Sequence, residues 1–166
     1  MGPAGLFAAL ELAEAGLCPL VIERGAPVEE RTADVERYHR TRVLDTTSNV
    51  QFGEGGAGTF SDGKLTTGKN SPQITSVLET FVAAGAPGEI LWQAKPHIGT
   101  DVLSNVVKRM RQRIIACGGE VRFHTQLVGM RTGADGALRS VALESGGTTY
   151  EVETSQLVLA CGHSAR

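Results

Sequence analysis

The sequence predicts an α/β chain, a Rossmann-like dinucleotide-binding fold with a β-meander, incomplete because its opening strand is missing. Three observations predict it. A glycine-led helical pattern runs directly into a short apolar strand, Gly-containing turns separate alternating strands in the last third of the chain, and a second apolar run ends on glycine.

Leu6, Leu10, Ala13 and Leu17 fall at helical spacing behind Gly2-Pro3-Ala4-Gly5, and Gly16 stops that helix. Pro19-Leu20-Val21-Ile22, closed by Glu23-Arg24-Gly25, reads as a buried parallel strand. Helix then strand is half of a βαβ unit, and the strand expected before Gly2 has no room after Met1. Residues 26 to 100 are less regular: a polar helix around Glu29 to Leu44, a glycine-rich loop from Gly53 to Gly63, and a helix around Ile74 to Ala84. So long an excursion between elements usually carries function. Thr100 or Asp101 caps a helix from Val102 to about Ala116, with Val102, Val106, Met110 and Ile114 on its apolar face. Lys108, Arg109, Arg111 and Arg113 then form a solvated face. Val121 to Thr125 alternates as a strand, Asp135-Gly136 and Gly146-Gly147 are hairpin turns flanking strands Leu138 to Glu144 and Thr148 to Val152, and Leu157 to Ala160 is a last buried strand broken by Gly162.

Sixteen basic against eighteen acidic residues give a net charge of −2, which offers no field for nucleic acid or anionic lipid. Neither partner is expected. No apolar run approaches the roughly 18 residues of a spanning helix, and Cys18, Cys117 and Cys161 are too few and too scattered for a disulfide framework or a zinc site. A cytoplasmic setting and no metal follow as expectations. Glycine is the outlier, 21 of 166 residues, about 13% against a usual value of about 7%.

Gly2 and Gly5 have the spacing of the second and third glycines of a dinucleotide fingerprint, and the helix N-terminus behind them, with Ala4 in its first turn, offers free N–H groups to a pyrophosphate. Glu23 stands eighteen positions after Gly5 at a strand end, close to the spacing of about 20 expected for the acid that holds ribose hydroxyls. An acid there disfavours a 2′-phosphate. The run from Gly53 to Gly63 holds five glycines in eleven residues and can present an anion-binding nest. Within it, Gly58-x4-Gly63-Lys64 matches a phosphate loop until Leu65, where a hydroxyl must hold magnesium. Leu65 cannot ligate a metal, so a phosphate-loop hydrolase is the weaker alternative; a non-catalytic nucleotide-binding module is the other. His97 is the candidate acid or base, His163 is placed to touch cofactor or a domain interface, and His39 and His124 read as solvated or structural.

Glu23-Arg24-Gly25, the meander and Ala160-Cys161-Gly162 resemble the second-strand ending, the crossover and the terminal turn of flavoproteins with two dinucleotide-binding domains. The runs Ser48 to Leu65, Lys95 to Asp101 and Gly162 to Arg166 resemble the bacterial FAD-dependent dehydrogenases, the NAD(P)/FAD-dependent oxidoreductase family, over nearly the whole chain. That resemblance implies FAD as cofactor, hydride exchange with a small-molecule substrate, and NAD(P)H as a candidate electron donor. It implies that Gly2, Ala4, Gly5, Glu23 and Arg24 serve pyrophosphate and ribose. Leu127, Ala160 and Gly162 would line the adenosine side, and Gly55, Gly56 and Lys64 would reach toward the flavin. It further implies one partial FAD-binding domain over residues 1–166, with residues 1–25 and 101–166 as core, residues 26–100 as an insertion and the substrate domain missing. Alone, such a piece is expected to hold flavin weakly and to be inactive.

Overall fold

The structure, a computed structural model, describes residues 1–162. It is a mixed α/β arrangement with four α-helices and two sheets among those residues. Helix α1 (Pro3–Glu14) is capped by the backbone of Gly2 with Pro3 in its first turn, a position where the missing proline N–H costs nothing. Its buried stripe is Leu6, Ala9, Leu10 and Ala13. Gly16 then takes a φ of +77°, the left-handed turn that ends the helix and sends the chain into β1 (Leu20–Ile22).

Helix α2 (Val28–Thr41) is largely polar and turns Val28, Arg31 and Val35 inward. A glycine-rich loop and a short 3-10 helix (Ala57–Phe60) lead to α3 (Gln73–Ala83), an amphipathic helix with no fully buried residue. The longest helix, α4 (Thr100–Ala116), buries Leu103, Val106, Val107, Met110 and Ile114 against α1 and the segment Ala84–Ile98, and these residues form the main core.

From α4 the chain enters β2 (Glu120–Arg122), which pairs in parallel with β1 in the register Leu20–Glu120, Val21–Val121, Ile22–Arg122. Strands β3 (Thr125–Thr132), β4 (Leu138–Ser145) and β5 (Thr148–Glu153) follow as an antiparallel meander with turns at the expected Gly positions. Its β3–β4 register slips between Leu127 and Gly129, a bulge that a glycine accommodates.

Four expectations need correction. The strand expected over Val121–Thr125 breaks after Arg122, because His124 adopts a φ of +50° and donates its N–H to the Gly25 carbonyl at 3.1 Å. The turn divides one expected strand between two sheets. Leu157 to Ala160 forms no strand, with Val158 and Leu159 about 60% exposed; no ladder partner lies beside it among the described residues, and a strand exists only through its pairing. Strand β1 is only partly covered, with Leu20 exposed and Val21 and Ile22 half-buried. Finally, the basic face of α4 is not simply solvated: Arg111 is largely buried, its Nη2 lies 2.7 Å from Glu29, and its guanidinium carbon sits 5.3 Å from the centre of the Phe123 ring.

Candidate functional site

Three segments converge at the N-terminus of α1. The Gly53–Gly56 stretch packs onto it from one side: Gly55 donates its N–H to the Met1 carbonyl at 2.9 Å, and a Cβ placed on Gly56 would lie 3.1 Å from Gly2 Cα. Ala160 comes from another side, its Cβ 3.4 Å from where a Gly5 Cβ would stand. The third is the end of β1, where the largely buried Glu23 carboxylate pairs with the Met1 amino group and accepts the Gly25 N–H at 2.7 Å. Gly2, Gly5, Glu23, Gly55, Gly56 and Ala160 therefore share one neighbourhood, although 158 positions separate Gly2 from Ala160 in sequence. The first-turn N–H groups of α1, including those of Ala4 and Gly5, have no side-chain cap, which leaves them for an anion.

The remaining expected site residues lie farther out. Arg24 stacks its guanidinium on Phe52, 5.0 Å from the ring centre, and so holds the loop rather than pointing freely. Leu127 is half-buried in β3 opposite Leu143; the nearest link to the site is the Thr125 N–H, donated to the Glu23 carbonyl at 3.0 Å. Gly162 is exposed with a φ of +56°. His163 lies outside the described residues. His97 and Lys64 face each other in an isolated antiparallel bridge, both exposed, and Lys64 Nζ is 2.7 Å from Asp62. The Asp62 carboxyl is held below its usual range by that contact and by the Lys64 N–H. Lys64 is thus not at the head of a helix as a phosphate-loop lysine would be; no helix begins until Gln73.

What sequence reading missed is the scaffold under the glycine loop. Arg31 is fully buried and donates Nε to the Asn49 carbonyl at 2.8 Å and Nη1 to the Glu54 carbonyl at 2.5 Å, with the Phe60 ring 4.8 Å from its guanidinium carbon. Burial lowers its pKa to about 10, which still leaves it charged at neutral pH. Glu54, also fully buried, accepts the Val28 N–H at 2.7 Å and lies 3.3 Å from Arg111 Nε. Burial pushes its carboxyl up, opposed by the Val28 N–H and Arg111. A signal existed: Arg31 falls at the i+3 position between Val28 and Val35, on the inward stripe of α2.

Between α1, the loop and α4 lies a cavity of about 100 Å³, walled by Leu6, Phe7, Phe81, Leu103 and Val107 and edged by Gly58 and Lys64. That is well under the ~300 Å³ at which ligand pockets begin, so this cavity is too small for an isoalloxazine ring; a wider, more open concavity of about 350 Å³ lies between the segment Leu65–Ser71 and α3. Among those residues no group of three or more metal-ligating side chains occurs, and no helix is long and apolar enough to cross a membrane.

No family model matches the chain. It is 49% identical over 165 residues to an uncharacterized protein of Clostridium beijerinckii, covering 99% of this chain and 30% of that protein, so the chain spans less than a third of the length of this relative. Solved structures with partial overlap include BexE, studied for oxidation during BE-7585A biosynthesis (18% identity, 93% of this chain and 28% of that one, TM-score 0.44). The Diels-Alderase PyrE3 of pyrroindomycin biosynthesis overlaps similarly (19%, 90% and 29%, TM-score 0.43). So does aklavinone-11 hydroxylase, solved with FAD and aklavinone (16%, 92% and 30%, TM-score 0.40). At these TM-scores the overlaps carry no weight on fold or cofactor.

Proposed function

We propose that this chain is the FAD-binding portion of a flavin-dependent oxidoreductase, a Rossmann-like domain with a meander crossover. The observation that carries the reading is the convergence at α1. An uncapped helix N-terminus led by two glycines meets a buried strand-end carboxylate across a parallel βαβ half, and the meander follows directly. The N–H groups of Ala4 and Gly5 would hold the pyrophosphate, and Glu23 would accept from ribose hydroxyls. The absence of side chains at Gly2 and Gly56 leaves backbone that a diphosphate can approach closely. Bound flavin supplies the hydride chemistry at N5. This chain's own residues bind and orient; His97, exposed beside Lys64, is the candidate for holding a proton at imidazole nitrogen.

The substrate domain and the substrate belong to the longer protein in this reading, as does any NAD(P)H donor. The test is the visible spectrum and flavin-to-protein ratio of the chain in its full-length context. Glu23→Ala there should weaken FAD binding by roughly 1.5 to 3 kcal/mol, the loss of a charge-assisted hydrogen bond. A colourless protein that binds ADP would favour a nucleotide-binding module instead, and an unchanged Kd in Glu23→Ala would remove that carboxylate from the site.

A further inference from the structure

We infer that the cavity beside the glycine loop binds a small monocarboxylate with an apolar body. This goes beyond the flavin reading and does not depend on it. The floor of the cavity is apolar and closed: Leu6 and Val107 are almost fully buried, and Phe7 packs edge-on to Phe81 with ring centres 5.3 Å apart. Its edge is polar. Ser61 and Lys64 come from the loop, and Lys64 carries the one formal charge among the described lining residues. The lysine is 67% exposed and so sits at the mouth rather than in the floor.

This distribution selects a ligand chemistry. An apolar body gains by leaving water for the floor, while a carboxylate stays hydrated at the mouth and meets an ammonium there. Size narrows the class. The cavity measures about 100 Å³, smaller than the ~150 Å³ apolar cavity known to take benzene, so a branched three- or four-carbon body fits and a phenyl ring does not. Lys64 already has an internal counter-ion in Asp62, whose side chain is 63% exposed, at 2.7 Å. A ligand carboxylate therefore competes with Asp62, which weakens binding in the native chain and yields an unusual expectation: deleting the acid strengthens it. His97, directly across the bridge from Lys64, adds positive charge on the same side when protonated.

The experiment is a titration of the chain with isobutyrate at neutral pH in a carboxylate-free buffer, following the methyl resonances of Leu6, Leu103 and Val107, with isobutyramide as the uncharged control. Saturable shifts are expected with a Kd on the order of 10 mM, given the few atoms that can be buried. The amide should bind roughly threefold to fivefold more weakly, and Lys64→Met should lower isobutyrate affinity by a similar factor, the size of an exposed charge contact. Asp62→Asn should raise it. Equal affinity for acid and amide, no change in Lys64→Met, or no saturable shift at all would each overturn the inference.

Discussion

Two glycine clusters lie against each other in this molecule, and they use glycine for different reasons. In the loop, Gly53, Gly55, Gly56 and Gly63 all have positive φ, from +67° to +113°. A Cβ on Gly55 would collide with Thr59 Oγ1, and one on Gly63 with the Ile98 carbonyl. At α1, neither Gly2 nor Gly5 has positive φ, a Cβ on Gly2 finds its first neighbour at 4.0 Å, and one on Gly5 makes ordinary contact at 3.4 Å. The loop glycines are required by the chain's own packing. Those at α1 are not, and a glycine that packing does not require is a better mark of a ligand's approach than one that it does.

The contrast can be broken from the loop side first. Arg31→Ala should have the largest effect, a loss of about 3 to 5 kcal/mol, because it removes a buried cation from two carbonyls and leaves Glu54 without that nearby charge. Urea unfolding midpoints measure it, and a loss under about 1 kcal/mol would mean that the loop is not pinned by this residue. Gly55→Ala should cost about 2 to 4 kcal/mol, combining left-handed strain with displacement of Thr59. A loop that served only to greet a cofactor would tolerate the change and lose occupancy alone; the packing places the cost in folding.

A smaller effect concerns pH. The Glu54 carboxyl is raised by burial, so the folded state binds its proton more tightly than the unfolded state does. The stability this contributes is complete below the unfolded carboxylate range near 4.5 and is lost as pH rises through the folded pKa. Relative to Glu54→Gln, the native chain should therefore lose stability as pH rises above 4.5; a difference that stays flat there would show an unshifted carboxyl. The smallest effect belongs to α1. Gly5→Ala should change stability by less than about 1 kcal/mol, with helix propensity favouring alanine, and a thermal melt of the two chains decides it. A large loss there would erase the contrast between the clusters.

How much was legible in the sequence follows from where the information sits. Helices α1, α3 and α4 follow from apolar spacing, α2 from an unbroken polar run, and the meander from its Gly turns, since these signals are local. The turn at His124 and the unpaired Leu157–Ala160 segment were not legible, because pairing depends on what lies alongside rather than on the residues themselves. At the site, Gly2, Gly5 and Glu23 were identified by spacing and do converge. Arg31 and Glu54 were overlooked because charge was read as exposure, and only the tertiary fold shows both fully buried.

The link between β1 and the meander sets an order on folding. The hydrogen bonds of β3, β4 and β5 close over a few residues at each turn, and hairpins of that kind form in roughly 1 to 10 μs. Pairing β1 with β2, and then Glu23 with Thr125, instead joins positions about a hundred residues apart, a closure whose entropy must be met before any contact rewards it. The meander can thus stand ready while the parallel pair is still open. The Glu23 corner, where the candidate ribose contact resides, is then among the last parts of the molecule to assemble and the first to be released when it loosens.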